Sequence, residues 1–208
     1  MCANFRPISR EQAQLLKLPD LPEFDFKPDI YPLNDCPLVL AGPQGLEWRS
    51  VKFGMIPKWA RTFKIGRMTY NARTETIDEK PSFKNAWYHN QFALIPVQII
   101  YEPKYVDGKA QRWGIYRKDG LPFTIAALYE NTTLEGEQVR SMSMLTINAD
   151  QHPLMKNFHK PGAEKRSIIV IPEQLREDWL YGNFEDATQF FIHMNPAGFT
   201  ASFMPRKT

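Results

Sequence analysis

The sequence has only two cysteines, Cys2 and Cys36, among its 208 residues. Two thiols cannot form the disulfide framework of a small secreted domain, and no metal-ligand spacing surrounds them. One bridge between them is possible, but nothing else in the chain indicates an oxidising compartment. No apolar run reaches the ~18 residues that a membrane-spanning helix needs, and the N-terminus has no apolar signal segment. We therefore expect a cytoplasmic protein with reduced thiols, no bound metal or cofactor and no membrane partner.

The chain also lacks internal repeats, low-complexity tracts and Gly/Ser linkers, so we expect residues 1–208 to form a single domain. Few segments between the apolar runs are long enough for the helical crossovers of a parallel sheet. Aromatic residues make up 13% of the chain and 17 residues are proline, a composition typical of β-rich proteins with ordered loops. We predict an α+β fold, β-rich, with a mostly antiparallel sheet and short flanking helices.

Apolar runs bounded by turn residues predict the individual elements. A proline-rich stretch over 20–36 reads as an extended surface loop, and 117–120 carries a hairpin turn signal. Ser9 and Gln12 form a capping pattern at the start of the first predicted helix. The predicted strands are 37–42, 47–56, 92–102, 112–118, 121–130, 141–149 and 166–172, and the predicted helices are 9–17, 82–90, 173–181 and 185–192.

Acidic residues are absent from residues 49–73, a segment that carries seven basic residues and four interleaved aromatic ones. Cations beside flat aromatic faces suit single-stranded nucleic acid, whose phosphates need neutralising and whose bases need a stacking surface. A solvated basic face with the aromatic residues in the core explains the pattern equally well. Because the net charge is only +3, any basic surface must come from such clustering. The basic residues are Arg49, Lys52, Lys58, Arg61, Lys64, Arg67 and Arg73, and the aromatic ones are Phe53, Trp59, Phe63 and Tyr70.

Cys2 becomes the N-terminal residue when Met1 is removed, as is expected before a small second residue. It then carries an α-amine and a thiol on adjacent carbons. Such a pair reacts with an aldehyde to form first a Schiff base and then a five-membered thiazolidine ring. The alternative is that Cys2 occupies a frayed terminus by chance.

Three further segments contain residues suited to proton transfer or anion binding. Asn71, Arg73 and Glu75 alternate, so an extended backbone would place them on one face with Glu75 as the ion-pair partner of Arg73. Glu102 ends an apolar run, where desolvation favours a raised pKa, although the same position also suits a strand leaving the core. His159 lies in a Gly/Pro-bounded loop, and the unperturbed pKa of a histidine allows it to give or take a proton near neutrality, although a structural hydrogen bond is its commoner use.

In this order the segments resemble the SRAP (SOS-response-associated peptidase) family. The start "MCANF" is similar to Met-Cys-Gly-Arg-Phe/Tyr, "FGMIPKWA" to Trp-Gly-x-x-Pro-x-Trp, and "YNARTET" to Asn-Ala-Arg-x-Glu-Thr. The stretches "FKNAWYHNQFALIPVQIIYEP" and "HPLMKNFHKPGAEKRSIIVIP" follow the family's Tyr-Glu and His-Pro-Leu-Met…His blocks. These blocks are collinear from residue 1 to about 172. The resemblance implies an SRAP-like fold and covalent shielding of abasic sites in single-stranded DNA.

The resemblance also implies a role for each matching residue. Cys2 would attack the ring-opened aldehyde, and Asn71 would hydrogen-bond the N-terminal residue or the sugar. Glu102 would shuttle protons during ring opening and Schiff-base formation, and His159 would act as general acid and base. Turnover would be slow or single, with autopeptidase or lyase-type chemistry as a side activity. The expected DNA contacts are Arg73, which would hold a phosphate, Trp59, a wedge or stacking surface, and Lys58, Arg61, Lys64, Arg67 and Arg166.

The chain departs from the family pattern at several places, which bears on DNA affinity more than on chemistry. The most direct is Asn4, where the family usually has an arginine, so one expected phosphate contact is missing. The other departures are Ala60, Phe92, Ile99, Pro103, Ser167 and Ile168.

Two other functions remain open from the sequence. Cys2 could be the nucleophile of an N-terminal cysteine peptidase with its own α-amine as base. The segment 49–73 could instead serve a non-covalent single-stranded DNA-binding protein. In every case a monomer is the default expectation.

Overall fold

Alternating and continuous apolar runs produce a fold dominated by strands in the computed structural model, which describes residues 2–206. Within that range eleven strands belong to one sheet, and all helices are short. The strands are β1 (Phe5–Pro7), β2 (Asp35–Gly42), β3 (Gly45–Phe53), β4 (Asn71–Arg73), β5 (Phe92–Val106), β6 (Lys109–Arg117), β7 (Phe123–Leu134), β8 (Glu137–Asn148), β9 (Arg166–Ile168), β10 (Val170–Ile171) and β11 (Phe199–Phe203). The α-helices are α1 (Arg10–Leu15), α2 (Lys84–Tyr88) and α3 (Arg176–Tyr181), and 3-10 turns span Phe63–Arg67, Thr74–Thr76, Met155–Asn157, Glu173–Leu175 and Ala187–Phe190.

The sheet closes on itself through β5, the longest strand. The first half of β5 pairs with β2 and β7, and its second half pairs with β1 and β6. The path from β7 through β8, β3 and β2 back to β5 therefore completes a ring. All pairs are antiparallel except β3 with β8 and β4 with β8. The predicted fold class, β-rich and mostly antiparallel with short helices, is confirmed.

Closing the ring creates two apolar layers. The inner one contains Phe53, Ile95 and Met144 and also buries Cys2. The outer layer lies beneath the short helices, where Trp179 of α3 is fully buried with its ring centroid 4.5 Å from that of Phe92.

Several predicted element boundaries need correction. The capping box of Ser9 and Gln12 forms as predicted at the start of α1. The strand expected to end at Glu102 continues to Val106. The 117–120 turn forms, but it joins β6 to β7, which pair with different parts of β5 rather than with each other. The predicted helix 185–192 is a 3-10 turn, Ala187–Phe190.

Backbone contact between two glycines closes the neck of the basic loop 55–65. Gly54 has φ +104°, and a Cβ built on it overlaps the backbone carbonyl group of Gly66. Only glycine therefore allows the two backbone segments to approach so closely. The loop that leaves this neck carries Lys58, Trp59 and Arg61.

We expect Gly54→Ala to destabilise the protein by about 3 kcal/mol, because it combines a left-handed backbone with a backbone clash. Chemical denaturation measures the free energy of unfolding. Gly120→Ala is the matched control, because Gly120 also has a positive φ (+74°) but has nothing within 4 Å of its added Cβ. That control should cost only about 1 kcal/mol, and equal losses for the two variants would contradict a close-packed neck.

Candidate active site and nucleic-acid interface

Main-chain pairing with β5 fixes the position of Cys2. Phe5 of β1 lies opposite Ile100, and the Tyr101 N–H donates to the carbonyl of Asn4 at 2.9 Å. The strand therefore brings Cys2 beside the stretch of β5 that contains Glu102. Cys2 is only 2% exposed, so its side chain does not occupy a frayed terminus.

The thiol of Cys2 lies in an environment that disfavours its ionised form. Its Sγ is 3.6 Å from the Asn4 carbonyl oxygen, to which it donates a weak hydrogen bond. Burial, and then the negative charge of Glu102, raise the pKa of the Cys2 thiol well above its ordinary value. The thiol is therefore protonated at neutral pH and must transfer its proton to a nearby base before it can attack. Cys2 and Cys36 are both free and buried.

Glu102 and His159 form a buried pair beside Cys2. The Nε2 atom of His159 lies 2.9 Å from Oε2 of Glu102, and the two side chains are 6% and 2% exposed. The Arg166 backbone N–H donates to Nδ1 of His159 at 3.4 Å, so the proton of the neutral ring is on Nε2 and is donated to Glu102. Glu102 thus lies inside the strand, not at its exit into solvent.

The backbone of His159 is held in an unusual conformation that aims its ring at Glu102. Its φ is +64°, and its N–H donates to the carbonyl of Pro103 at 2.7 Å. A non-glycine residue in this region is strained and persists only when its surroundings enforce it. His152, in contrast, has a structural role, because its Nδ1 accepts from the backbone N–H groups of Leu154 and Met155.

Asn71 contacts Cys2 directly. Its side-chain amide donates to the Cys2 carbonyl oxygen at 2.9 Å, and the residue is 7% exposed. Its Oδ1 is buried without a hydrogen-bond partner among residues 2–206. An unsatisfied buried acceptor costs about 1–3 kcal/mol, so this oxygen is available for a donor that the site would receive.

Tyr70 is a site residue that the sequence reasoning treated only as one of the aromatic residues of the basic segment. It is half-buried, and burial, then the charges of Glu102 and Cys2, raise the pKa of its phenol. Its hydroxyl group therefore stays protonated and remains a hydrogen-bond donor near Glu102 and Cys2. Its place directly before Asn71 in "TYNARTET" was the signal that could have found it.

The predicted pairing of Arg73 with Glu75 is wrong. The extended backbone of β4 ends at Arg73 and Glu75 lies in a 3-10 turn, so the two side chains do not share a face. Arg73 instead pairs with Glu164 at 2.8 Å and remains 46% exposed. A loop residue from a distant part of the chain therefore holds the candidate phosphate-binding guanidinium.

Arg166 is buried, so it is not placed for the DNA contact that the sequence predicts. It is 2% exposed, and its guanidinium donates to both carboxylate oxygens of Glu75 and to Glu164, each at 2.8 Å. Although desolvation opposes it, hydrogen bonding by Arg166 holds the pKa of Glu75 at about 2. Arg166 thus links the turn that carries Glu75 to the loop that carries Glu164, and its charge faces those carboxylates.

The basic segment is divided between core and surface. Phe53 is fully buried, as the structural explanation of the aromatic residues expects, whereas Trp59 is 55% exposed and donates its indole N–H to the Pro81 carbonyl at 3.1 Å. Lys58 is also exposed and lies 3.9 Å from Glu130. The other predicted DNA-contacting cations on this surface, Arg61, Lys64 and Arg67, are exposed.

Asn4, the departure noted above, has a structural role. Its side chain donates to the Ile30 carbonyl and accepts from Nε and Nη2 of Arg112 at 3.0 and 2.9 Å. Arg112 also binds Asp29 at 2.7 Å and stacks 3.3 Å from the ring centroid of Tyr101. An arginine is thus present beneath the N-terminus, but it comes from β6.

Two kinds of feature are absent from the part of the chain that the structure describes. No group of three or more His, Cys, Asp or Glu side chains there is arranged to hold a metal ion. No helix in residues 2–206 is both long and apolar enough to span a bilayer.

The chain matches one protein family and named proteins from two bacteria. The family model described as SOS response associated peptidase (SRAP) matches residues 1–202. The abasic site processing protein YoqW of Bacillus subtilis is 29% identical over 164 residues, which cover 77% of this chain and 70% of that protein. The abasic site processing protein YedK of Escherichia coli is 27% identical over 188 residues, which cover 86% and 79% of the two chains.

Solved structures share the fold. A Bordetella bronchiseptica protein superimposes with a TM-score of 0.91 at 29% identity, covering 99% of this chain and 100% of its own. A Bacteroides thetaiotaomicron protein gives a TM-score of 0.80 at 18% identity, with 98% and 92% coverage, which shows the fold alone.

The charge of Glu102 acting on Cys2 can be tested with a thiol reagent. We expect Glu102→Gln to speed alkylation of Cys2 by iodoacetamide at pH 8 by roughly threefold to tenfold, because removing the negative charge lowers the thiol pKa. Peptide mass mapping separates the reaction of Cys2 from that of Cys36.

Glu130→Gln is the matched control, because Glu130 is as buried as Glu102 (1% against 2%) but binds Asn85. It should leave the rate unchanged. An unchanged rate in Glu102→Gln would show that the carboxylate does not influence the thiol.

Proposed function

This chain belongs to the SOS response associated peptidase family, and we propose that it captures abasic sites in single-stranded DNA by a covalent bond through Cys2. The observation that carries the proposal is the burial of Cys2 against Asn71 and the Glu102–His159 pair. Met1 lies outside the described residues, and its removal to free the α-amine of Cys2 is part of the proposal. The names of the relatives, abasic site processing proteins, support the same substrate.

The proposed chemistry uses the two nucleophiles of an N-terminal cysteine. The α-amine, with an ordinary pKa of about 8, attacks the C1′ aldehyde of the ring-opened deoxyribose to form a carbinolamine. Loss of water gives the imine. The sulfur of Cys2 then attacks the imine carbon, its proton moves to the nitrogen, and the thiazolidine ring closes. The net change is one C–N bond and one C–S bond formed for one water lost.

Glu102 and His159 would transfer the protons that these steps require. The raised pKa of the Cys2 thiol means that ring closure needs a base close to sulfur, and Glu102 is the charged group that acts most directly on it. The Nε2–H of His159 donates to Glu102, so the pair can hold the thiol proton and release it to the imine nitrogen as the ring closes. Burial of both side chains protects the imine from bulk water.

Asn71 would orient the reacting groups. Its amide N–H₂ holds the carbonyl of Cys2, and its free Oδ1 is placed to accept from the α-amine or from a sugar hydroxyl. The reacting nitrogen and the incoming sugar would therefore be fixed by one planar side chain.

The DNA strand would run along the exposed cations next to this site. Arg73 would bind the phosphate beside the lesion, and exposed Trp59 would stack on a base or wedge against one. The remaining phosphate contacts would come from Lys58, Arg61, Lys64 and Arg67. Buried Arg166 would act indirectly, by holding Glu164 and Glu75 in place.

The direct test is the intact mass of the protein after incubation with a single-stranded oligonucleotide containing one abasic site. We expect the protein without Met1 to gain the mass of the oligonucleotide less one water, in an adduct that survives heating. Cys2→Ala should give no such adduct. Cys36→Ala is the matched control, because Cys36 is the other buried thiol and should leave the yield unchanged.

Other outcomes of that test favour the alternatives. An adduct that forms in Cys2→Ala would refute thiazolidine capture. Absence of an adduct in protein that has lost Met1, with equal binding of intact and abasic strands, would indicate a non-covalent single-stranded DNA-binding protein. Cleavage of added peptides that depends on Cys2 would indicate a peptidase.

Substitutions of Arg73 and of its partner Glu164 should change the affinity for DNA in opposite directions. In a Cys2→Ala background, Arg73→Ala should weaken binding of an intact single strand and reduce the salt slope by roughly 0.7, the value for one lost phosphate contact. Glu164→Gln should strengthen binding about twofold to fivefold, because it removes a competing carboxylate. Fluorescence anisotropy at several salt concentrations measures both.

Arg10→Ala is the control for general charge, because Arg10 is also an exposed arginine in an ion pair, with Glu23. It should leave the salt slope unchanged. If Arg73→Ala behaves like Arg10→Ala, Arg73 does not contact the strand.

A further inference from the structure

A cavity of about 500 Å³ lies apart from the candidate active site. It is bordered by the end of α1, the starts of β7 and α3, strand β10 and the segment 190–199. None of Cys2, Asn71, Glu102 and His159 lines it. Its size is that of sites that hold a small molecule or a few peptide residues.

A largely buried guanidinium that forms no ion pair with any residue of 2–206 lines this cavity. Arg176 is 7% exposed; its Nε donates to Thr124 Oγ1 at 3.2 Å and its Nη1 donates to the Leu16 carbonyl. Within residues 2–206 its Nη2 has no hydrogen-bond partner, and no carboxylate forms an ion pair with it. Because Nη2 is not among the enclosed atoms that lack a partner, it is open to the cavity, where an anion can form a charge-assisted hydrogen bond with it.

The two carboxylates that line the cavity are already engaged. Glu173 binds Lys17 at 2.7 Å, and Asp119 accepts two hydrogen bonds from Arg117. Burial lowers the pKa of Arg176, and Glu173 offsets this only in part. Among the Arg, Asp and Glu residues that line this cavity, Arg176 is therefore the one without an ion-pair partner in residues 2–206.

The rim of the cavity exposes large apolar side chains. Leu15, Leu121 and Ile192 are 56%, 39% and 62% exposed, and all three line the cavity. They are three of the eight large apolar residues exposed in the described part of the chain. A concentration of this kind is typical of protein-binding surfaces. The inner walls, from Phe123, Val170, Phe190 and Phe199, are apolar as well.

We propose that this cavity binds the C-terminal end of a partner protein, with the terminal carboxylate on Arg176 and an apolar terminal side chain between the inner walls. A C-terminal residue carries both groups on one Cα atom, so both can enter the same cavity. An internal acidic residue is less suitable, because neighbouring side chains of an extended segment point in opposite directions. This proposal does not depend on the DNA chemistry of Cys2.

A partner protein fits the surface better than a small free carboxylate. A small ligand could satisfy Arg176, but it would leave Leu15, Leu121 and Ile192 exposed to water. The residues that precede the terminus of a bound protein would cover this rim, and burial of such side chains is what stabilises peptide complexes.

The test measures binding of three fluorescein-labelled hexapeptides that end in Leu, Ile or Phe, each with a free carboxylate and as its C-terminal amide. We expect at least one free-acid peptide to bind, and amidation to weaken it about tenfold or more, the usual effect of losing a charge-assisted hydrogen bond. Arg176→Met should weaken the free acid equally and should remove the difference between acid and amide.

A variant at the rim of the cavity and a matched control distinguish a loss of peptide binding from a loss of folding. Ile192→Ser should weaken binding about fivefold, because it removes exposed apolar area that the peptide would cover. Tyr181→Ser is the matched control, because Tyr181 is similarly exposed (55%) but does not line the cavity, and it should have no effect. Circular dichroism of each variant reports folding separately from binding.

Three results would overturn the proposal. One is failure of all three free-acid peptides to bind at millimolar concentration. Another is equal binding of acid and amide forms to the unmodified protein. The third is displacement of the peptide by 4-phenylbutyrate at a concentration equal to the peptide's own Kd, which would identify a small-molecule carboxylate site.

Discussion

The pairing of β1 with β5 is the constraint on which the site depends. A chain terminus normally frays, yet here three residues of strand and one further main-chain hydrogen bond, from Tyr101 to Asn4, hold Cys2 in the inner apolar layer. The same strand β5 carries Glu102 and, through the Pro103 carbonyl, fixes the backbone of His159. One strand therefore positions all three groups, and a shift in its register would separate them.

Electrostatic pairing organises the surface around this centre. Arg166 is buried between Glu75 and Glu164, and Glu164 in turn holds exposed Arg73. Each charge in this network has a partner, which offsets the cost of burying Arg166. Buried Arg166 in turn holds Glu164, the carboxylate that positions Arg73 at the surface. Phosphate binding by Arg73 would compete only with Glu164, whose side chain is one third exposed and so binds Arg73 more weakly than the buried pairs bind.

Local sequence signals predicted much of the fold. Apolar periodicity located the main strands, and motif order singled out Cys2, which proves to be buried beside Glu102. Local signals could not predict which side chains from distant parts of the chain pair with each other. Glu164 reaches Arg73 from a loop far along the chain, and the burial of Arg166 depends on carboxylates from two segments. Residues 117–120 favour a turn by their local conformational preferences, and they form one. Which strands pair on either side of it depends on closure of the whole sheet, so the turn does not produce a hairpin.

The contact between Gly54 and Gly66 divides the molecule into a fixed scaffold and an exchangeable part. Because the neck is closed by backbone atoms, the length and composition of the loop beyond it can change without moving the strands that hold Cys2. Loop insertions of this kind carry a small entropic penalty that grows slowly with length. The stretch between the two glycines is therefore a segment whose length and composition can vary while the residues around Cys2 keep their positions.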